Sequence, residues 1–513
     1  MTFSKTSLAL IVIGLSILAV FSFVLFLTKP FKGCRNCNVI LVSLDTLRAD
    51  SLACYGYFRD TAPNLCNFAK ENVLFLNSYS NADSTLPSHF SIFTSLYPSS
   101  HGVTEILRYE LSPGITPLAQ FLKNNGYETV FVGQENDPSF PLDKGLGRGF
   151  DKIIYNVEDP KQWTDGLESL LENSKQNKPT FLFLHTYGIH SPYLKILKED
   201  VFTQGSFPQL PTTKKAYFEF NETLLGYIFE DLETRISESK TPESLKRNTQ
   251  LYGNLKNAAS LDKAREIFEE LPEYERWGIY SKRYFLSLNT QDPKQVEYLK
   301  ALYDEGIYRI DQAILGTLDF LKSNNLDKNT IVIITSDHGE EFLEHGEFLH
   351  GPTLYNHTTF VPLIISVPGV KEREIQEMAQ GIDIYPTIAG LLKLKTPEWL
   401  QGIDLTGLIS DYPLAKKNRF VVSESYGLQY RSIRDGEWEL MTNNDGKVEL
   451  YNMKEDFYEK ENVAEKYPVV VDELTTAMNK ILAKKTVFPS VDVGFPDWLD
   501  EVKRRKLEKE GYF

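Results

Sequence analysis

The sequence predicts an α/β protein in which a mostly parallel β-sheet is sandwiched by helices, with a small C-terminal α+β subdomain and an N-terminal transmembrane helix. Three observations lead to this prediction. Apolar runs of strand length recur along the chain, amphipathic helical patterns lie between several of them, and residues 7–27 form one uninterrupted apolar stretch. Strands that alternate with helices favour a parallel sheet that is covered on both faces.

The N-terminal segment is the first of these elements. Residues 7–27 (SLALIVIGLSILAVFSFVLFL) contain no charged side chain, and a helix of this length spans the hydrocarbon core of a bilayer, about 30 Å. A cleaved signal peptide is the alternative, but no small-x-small cleavage site follows the apolar run. We therefore predict a single-pass membrane anchor over residues 1–29. More Lys and Arg residues follow the span than precede it, a weak asymmetry that favours a cytoplasmic C-terminal part.

The four cysteines follow the predicted anchor and lie between Cys34 and Cys66. Cys34 and Cys37 form a lone CxxC pair, which is weak support for zinc or redox chemistry and fits a small disulfide equally well if the domain is exported. We predict that none of the four is a nucleophile.

The strands are predicted from short apolar, partly β-branched runs, as buried parallel strands require. The first is NVILVSL, and the runs occupy residues 38–44, 128–133, 179–185, 330–336 and 361–367. Ligands of parallel α/β sheets bind beyond the carboxyl ends of the strands. The residues that end or follow three of these runs, Asp45, His185 and the pair Asp337-His338, are therefore where we expect the chemistry.

The remaining chain divides into three parts. Residues of about 195–295 are polar, with helix signals, and are predicted to be a helical insertion in a catalytic domain of residues 38–415. Residues 296–321 carry apolar side chains at helical spacing and predict one long amphipathic helix. Residues 416–513 contain shorter strand-like runs and a terminal helical pattern, which predict a small C-terminal subdomain.

The composition limits the classes of binding partner that we expect. The chain has 513 residues, of which 42% are hydrophobic and 24% charged, with a formal net charge of -15. This is ordinary globular composition. Since nucleic-acid backbones are bound mainly by clustered Lys and Arg, the negative charge disfavours a nucleic-acid partner.

The histidines gather in a few short segments instead of scattering. Four of the eight fall within 20 residues, and the full set is His89, His101, His185, His190, His338, His345, His350 and His357. Imidazoles are gathered where a site binds metal, transfers protons or contacts an anion. Asp45 alone would be read as a turn residue and Asp337 as a helix N-cap. With His338 beside Asp337, these two carboxylates predict a cation site.

A second pattern surrounds Thr85. Pro87 suits the first turn of a helix, which places Thr85 at the helix N-terminus, where unpaired backbone N–H groups favour an oxyanion. A threonine hydroxyl is a poor nucleophile at neutral pH, but a bound divalent metal lowers the pKa of a coordinated oxygen. Thr85 is thus either an ordinary N-cap residue or a metal-activated nucleophile.

Three motifs, in order, resemble the sulfatase-like branch of the alkaline phosphatase superfamily. They are SLDTLRAD at 43–50, TLPSHFSIFTSLYPSSHGV at 85–103 and TSDHGEEFLEHGEFLHG at 335–351. HTYGIHSPY (185–193), QGIDIYPTIAGLL (380–392) and VELYNMKEDFYEKENVAE (448–465) also resemble it. The match runs from about residue 38 to the C-terminus and leaves out only the insertion.

The resemblance implies an alkaline-phosphatase/sulfatase-like fold and a set of site residues. One divalent metal would be held by Asp45, Thr85, Asp337 and His338, with Thr85 as the nucleophile. His190 and His350 would contact the anionic group or protonate the leaving oxygen, completing a catalytic set with Thr85. His89, His185 and His345 are weaker candidates for substrate binding. The family usually works outside the cytoplasm, which implies an extracytoplasmic catalytic domain.

One departure from the family pattern changes the predicted chemistry. Sulfatases carry Cys-x-Pro-x-Arg or Ser-x-Pro-x-Arg, whose first residue becomes a formylglycine, whereas this chain has Thr85-x-Pro87-x-His89. Threonine cannot be converted in this way and is more similar to the phospho-accepting threonine of lipoteichoic acid synthases and phosphoethanolamine transferases. Thr46 stands where many sulfatases have a second metal-binding Asp, so Mn²⁺ or Zn²⁺ is favoured over Ca²⁺ or Mg²⁺.

The sequence therefore predicts a membrane-anchored metalloenzyme that hydrolyses or transfers a phosphate ester group through Thr85. Two alternatives stay open: a hydrolase of a sulfate ester, and a catalytically silent membrane protein with the sulfatase fold. The substrate is a phosphate or sulfate ester, and the anchor suggests a lipid or an envelope polymer.

Overall fold

The computed structural model describes residues 33–105, 108–134, 140–155, 163–194, 201–203, 210–237, 239, 242–271, 273–351, 353–410, 419–483 and 490–494. The predicted transmembrane segment, residues 7–27, lies outside these residues. Within the described ranges, no helix combines the length and the apolar composition needed to cross a bilayer.

Eighteen strands are present in the described part of the chain. They are β1 Asn38–Leu44, β2 Val73–Phe75, β3 Ser78–Tyr79, β4 Tyr109–Glu110, β5 Glu128–Gly133, β6 Lys152–Tyr155, β7 Thr180–Thr186, β8 Thr330–Thr335, β9 Glu341–Phe342, β10 Phe348–Leu349, β11 Leu363–Ser366, β12 Arg373–Ile375, β13 Ala379–Gln380, β14 Val421–Glu424, β15 Tyr430–Arg434, β16 Trp438–Asn443, β17 Val448–Asn452 and β18 Val491–Asp492.

Eight of these strands form the central sheet, in the order β12-β2-β11-β8-β1-β7-β5-β6. The run from β8 to β6 is parallel, whereas β11 is antiparallel to β8 and to β2. The prediction of a mostly parallel sheet is confirmed. All five predicted strands are present with small shifts at their ends, and the run at 361–367 forms β11 and runs in the opposite direction to its neighbour.

The central strand β1 shows why the sheet is covered on both sides. Val39 and Leu41 pack into one apolar core, and Ile40 and Val42 pack into another. Successive side chains of a strand point to opposite faces, so a strand buried on both faces must be apolar throughout. This requirement accounts for the continuous apolar run that begins at Asn38.

Fifteen α-helices are described. They are α1 Pro63–Lys70, α2 Thr85–Thr94, α3 Pro98–His101, α4 Leu118–Asn124, α5 Trp163–Lys175, α6 Lys214–Tyr217, α7 Glu222–Ser237, α8 Pro242–Lys256, α9 Leu261–Glu269, α10 Glu273–Leu286, α11 Pro293–Ser323, α12 Asn356–Thr359, α13 Ile384–Leu392, α14 Thr406–Ile409 and α15 Pro468–Leu482. The long helix predicted over 296–321 is confirmed as α11. Helices α7 to α10 pack around an apolar cluster of their own.

The C-terminal part contains a four-stranded antiparallel sheet, β14-β15-β16-β17. Ile433 and Leu440 of this sheet pack against Leu474 and Met478 of α15 in a separate apolar cluster.

Near the N-terminus of the described chain, Cys34 is bonded to Cys37 and Cys54 to Cys66 as disulfides. The structure thus favours the disulfide interpretation of the CxxC pair.

The aromatic core behind the sheet gives a test of the packing. Phe183 of β7 is fully buried, and its ring centroid lies 4.9 Å from that of Phe93 and 5.8 Å from that of Phe131. Phe183→Ala should lower the free energy of unfolding by about 3 to 5 kcal/mol, because it removes buried surface and leaves a cavity. Phe58 is 79% exposed, so Phe58→Ala is the matched control and should change stability by less than about 0.5 kcal/mol. If chemical denaturation showed the same loss of unfolding free energy for Phe183→Ala and Phe58→Ala, this account of the packing would be wrong.

Candidate active site

The predicted site residues meet because the strands that carry them are neighbours. β1 lies between β7 and β8, parallel to both, with Ser43 aligned to His185 on one side and to Thr335 on the other. Asp45 follows β1, and Asp337 and His338 follow β8 at the same edge of the sheet. All three side chains are fully buried.

Asp337 is held by its own loop and by that of Asp45. Its Oδ1 accepts hydrogen bonds from the backbone N–H of His338 at 2.9 Å and of Thr46 at 3.3 Å. Its Oδ2 lies 3.5 Å from His338 Nε2 and 3.5 Å from His89 Nδ1. Burial would raise the pKa of Asp337, but attraction to the surrounding imidazoles, His338 first, outweighs it and holds the pKa below its usual value. Asp337 is therefore a carboxylate at neutral pH.

The tautomer of His338 is fixed by a backbone contact. Its Nδ1 donates to the carbonyl oxygen of Gly339 at 2.8 Å, so the lone pair of the neutral ring lies on Nε2. A metal-binding histidine is commonly oriented in this way through its other ring nitrogen. Nε2 lies 3.3 Å from Thr85 Oγ1, so its lone pair is directed towards the site.

Thr85 is the first residue of α2, as predicted. Ser84 before it has extended backbone angles, φ -154° and ψ 155°, so the helix begins at Thr85 with its first N–H groups unpaired by the helix. Thr85 is 4% exposed, and its Oγ1 donates to Asp45 Oδ2 at 3.3 Å. The hydroxyl thus lies among Asp45, His338 and the positive end of a helix.

This donor set fits a divalent cation. Asp45, Asp337 and His338 each offer a ligand atom, and these atoms lie within 4.8 Å of one another. Two carboxylates that are both fully buried carry a large desolvation cost unless a cation or hydrogen bonds compensate it. One nitrogen and several oxygen donors suit Mn²⁺ or Zn²⁺. The fit extends to Thr85, whose hydroxyl lies within 3.3 Å of two of the three ligand side chains.

Thr46 does not add a side-chain ligand. Its hydroxyl donates to the backbone carbonyl of Asp45 at 2.7 Å, and its own backbone has φ 60°, in the left-handed region. Strained backbone of this kind is concentrated at functional sites, where the surroundings stabilise it. Here the turn directs the N–H of Thr46 to Asp337.

A second polar group, beside the cation site, contains His350. Its Nδ1 donates to Glu340 Oε1 at 2.7 Å, while Tyr193 donates its hydroxyl to Glu340 Oε2 at 2.7 Å. Burial raises the pKa of Glu340 to about 6 and lowers that of His350 to about 4. The ring of His350 lies 4.3 Å from that of His338 and 5.1 Å from that of His190, so both predicted acid candidates border the site.

The three histidines predicted as weaker contacts lie in three different settings. His89, on α2, hydrogen-bonds through Nδ1 to the Thr85 carbonyl and through Nε2 to Ser43 Oγ, both at 2.9 Å. His185 is buried, with Nε2 3.4 Å from Asp45 Oδ2. His345 is not brought to the cluster, because its ring stacks on Tyr355 at 3.6 Å.

Two residues of this site were missed by sequence reasoning. Glu340 and Tyr193 orient His350, although both lie within quoted motifs, TSDHGEEF and HTYGIHSPY. The position of Glu340, two residues after His338, was a signal in the sequence that this carboxylate lies near the site. Its contact with His350 could not be predicted, because His350 is ten residues away on another loop and the two meet only through tertiary structure.

The candidate cation site of Asp45, Asp337 and His338 lies beside a threonine at a helix N-terminus, on a mostly parallel sheet of the alkaline-phosphatase/sulfatase-like fold. Residues 37–394 match the sequence model of the Sulfatase family. The chain belongs to the sulfatase family, whose members are in general metal-dependent. Residues 344–486 also match a model described as N-sulphoglucosamine sulphohydrolase, C-terminal.

Curated relatives cover most of the chain. Arylsulfatase K of Gallus gallus is 23% identical over 484 residues, which cover 90% of this chain and 85% of that protein. Arylsulfatase K of Canis lupus familiaris is 29% identical over 479 residues, covering 88% and 84%. An N-acetylgalactosamine-6-O-sulfatase of Bacteroides thetaiotaomicron is 24% identical over 500 residues, covering 86% and 93%.

Solved structures share the fold. A protein described as a 2-O GAG sulfatase superposes with a TM-score of 0.62 at 18% identity, covering 87% of this chain and 92% of that chain. A phosphonate monoester hydrolase of Agrobacterium radiobacter superposes with a TM-score of 0.60 at 18% identity, covering 89% and 97%. At this identity the likeness establishes the architecture alone.

Metal content tests the ligand assignment. Asp337→Asn removes one carboxylate charge with almost no change of shape, so affinity for Mn²⁺ or Zn²⁺ should fall by more than about 100-fold. Elemental analysis after equilibrium dialysis of the full-length protein measures this. Asp319→Asn, at an exposed position of α11, is the matched control and should leave the content unchanged. A metal content in Asp337→Asn equal to that of wild type would remove Asp337 from the ligand set.

Proposed function

We propose that the protein is a metal-dependent hydrolase of sulfate esters in which Thr85 is the nucleophile. The observation that carries the proposal is the position of Thr85 Oγ1, 3.3 Å from Asp45 Oδ2 and 3.3 Å from His338 Nε2 at the start of α2. Membership of the sulfatase family and the sulfatase relatives support the sulfate ester as substrate. The ester is proposed to lie on a carbohydrate, since one structural neighbour is described as a 2-O GAG sulfatase and one relative as an N-acetylgalactosamine-6-O-sulfatase.

The proposed roles follow from the contacts. A divalent cation held by Asp45, Asp337 and His338 would supply Lewis acidity towards the anionic ester and the Thr85 hydroxyl. Thr85 Oγ1 forms the new bond to the central atom of the ester while the bond to the leaving oxygen breaks, and the hydroxyl proton passes to Asp45 Oδ2, the acceptor of its hydrogen bond. The first N–H groups of α2 bind the negative charge of the non-bridging oxygens.

His350 is proposed as the acid for the leaving oxygen, with His190 beside it. Burial lowers the pKa of His350 to about 4, so the free ring is neutral at pH 7 and Nε2 accepts a proton. An anionic ester next to the ring, together with Glu340 on Nδ1, favours the imidazolium form in the complex. Glu340 therefore acts as a positioning residue that fixes which nitrogen faces the substrate.

Hydrolysis or transfer of a phosphate or phosphonate ester is the second candidate. The observation that favours it is the identity of residue 85. The formylglycine of sulfatases is a hydrated aldehyde with two hydroxyls, one of which expels sulfate from the covalent intermediate. Threonine has a single hydroxyl and lacks this route. The architecture is shared with a phosphonate monoester hydrolase. The cation site and the roles of His190 and His350 are the same for both substrates.

The two disulfides support a location outside the cytoplasm. Cys34–Cys37 and Cys54–Cys66 are bonded within the first part of the described chain, and disulfides persist mainly in oxidising compartments. We place the catalytic domain, residues 38–415, and the C-terminal subdomain, residues 416–513, on that side. The membrane anchor over residues 7–27 remains a prediction from the sequence.

A matched pair of aryl esters distinguishes the two substrates. Full-length protein loaded with Mn²⁺ or Zn²⁺ should cleave 4-nitrophenyl sulfate with a kcat/KM at least about tenfold above that for 4-nitrophenyl phosphate, a difference of about 1.4 kcal/mol in activation free energy. Release of 4-nitrophenolate measures both. The reverse ratio would replace the sulfate proposal with the phosphate ester. No turnover of either compound by the loaded protein would count against both.

Replacement of Thr85 tests the nucleophile. Thr85→Ala should lower kcat by at least about 10⁴-fold, because the covalent step loses its attacking atom. Thr85→Ser keeps a hydroxyl at the same place and should retain measurable turnover. Mass spectrometry of the trapped protein should show the adduct on residue 85 in wild type and not in Thr85→Ala. Undiminished turnover by the alanine variant would exclude Thr85 as nucleophile.

A further inference from the structure

A second group of metal-ligating side chains lies where the catalytic domain meets the C-terminal subdomain. His345, His357 and Glu459 each offer a ligand atom, and these atoms lie within 4.8 Å of one another. His345 lies between β9 and β10, His357 lies in α12, and Glu459 follows β17 in the C-terminal subdomain. The group is separate from Asp45, Asp337 and His338, which form their own ligand set.

Both histidines present a buried nitrogen without a hydrogen bond. Nδ1 of His357 and Nε2 of His345 make no hydrogen bond to any of the described residues, and His357 is 3% exposed. A buried polar nitrogen without a partner costs free energy comparable to a lost hydrogen bond. The two ring centroids are 5.4 Å apart, so one ligand could relieve both.

The rings are held in orientation by aromatic neighbours. His345 stacks on Tyr355 with centroids 3.6 Å apart and planes 12° apart. His357 stacks on Tyr458, the residue before Glu459, at 5.5 Å and 16°. Preorganised ligands lose little conformational entropy when they bind, so this arrangement favours a site over two unrelated buried histidines.

The charge around Glu459 also favours a cation. Glu459 and Glu439 are both buried, and they share one guanidinium, with Arg434 Nη2 2.7 Å from Glu439 Oε1 and 3.5 Å from Glu459 Oε1. Two buried carboxylates and one Arg leave one uncompensated negative charge, which requires either a proton or a cation. Asn356 N–H donates to both oxygens of Glu459 at 3.0 Å, which fixes the carboxylate without neutralising it.

We propose that His345, His357 and Glu459 bind a second divalent transition-metal cation, with Zn²⁺ as the best fit to two imidazoles and one carboxylate. The cation would tie the β9–β10 segment and α12 to the C-terminal subdomain. His350 follows β10 directly, so the same cation would fix the chain that carries this residue. The inference does not rest on the ester hydrolysis proposed above.

Zinc content in a background that lacks the active-site metal tests the proposal. Full-length Asp337→Asn protein, dialysed against buffered Zn²⁺ and then metal-free buffer, should retain about one ion per chain. Adding His345→Gln, at a half-buried position, or Glu459→Gln should remove that ion. Glu461→Gln, an exposed glutamate two residues further on, is the matched control and should keep it. Because zinc content is measured without substrate, failure of the hydrolase proposal would leave this result unaffected.

Thermal unfolding gives a second reading. Zn²⁺ should raise the Tm of Asp337→Asn and of Asp337→Asn/Glu461→Gln, and should not raise that of the variants changed at His345 or Glu459, because only a ligand of the folded state stabilises it. Equal zinc content and equal Tm shifts in all four proteins would overturn the proposal. If a variant changed at His345 or Glu459 does not fold, the Asp337→Asn protein alone decides. Loss of all zinc from this folded protein overturns the proposal. Retained zinc, together with Co²⁺ d–d absorption typical of imidazole ligands, supports it.

Discussion

The close approach of Asp45 and Asp337 is the constraint on which the rest of the site depends. Both carboxylates are fully buried, and they are brought together because β1 and β8 are adjacent parallel strands. Two buried carboxyl groups this close can both be ionised only where positive charge compensates them. The hydrogen bonds to Asp337 and the start of α2 at Thr85 place donors and positive potential around this pair, and the fixed tautomer of His338 directs a lone pair at the same place for a cation.

The loops that carry these groups are fixed by a layer of residues behind them. Tyr303 of α11 donates its hydroxyl to the carbonyl of Thr46 at 2.7 Å and accepts from the N–H of Arg48 at 3.0 Å. The guanidinium of Arg48 donates to the Glu340 carbonyl at 3.0 Å and to Asp50 at 2.8 Å. One helix and one arginine therefore hold both the turn after β1 and the loop that orients His350. Rigid support of this kind is what a site needs to keep its groups in productive geometry.

The parts of the structure that could be predicted from sequence are those set by local pattern. β1 follows from a continuous apolar run, the start of α2 from Pro87 and α11 from apolar periodicity. Asp45 and Asp337-His338 follow from the rule that ligands bind beyond the carboxyl ends of parallel strands. The pairing of Glu340 with His350 could not be predicted, because it joins two loops across ten residues without a periodic signal. The family resemblance makes His345 a weaker candidate for substrate binding, yet its ring stacks on Tyr355 and approaches His357. The direction of a side chain within an irregular loop depends on tertiary contacts that periodicity does not encode.

Threonine at position 85 constrains the second half of any hydrolytic cycle on this site. In the proposed cycle an ester on Thr85 has no neighbouring hydroxyl to expel the bound group, so water attacks the central atom on the side opposite Oγ1 and the bond from that atom to Oγ1 breaks. His350 and His190 border the site, and the group that protonates the leaving oxygen in the first step is by microscopic reversibility suited to deprotonate this water in the second. The pKa of His350, lowered to about 4 by burial, favours the neutral ring that such a base requires. In the proposed mechanism, the orientation of His350 by Glu340 would serve both steps.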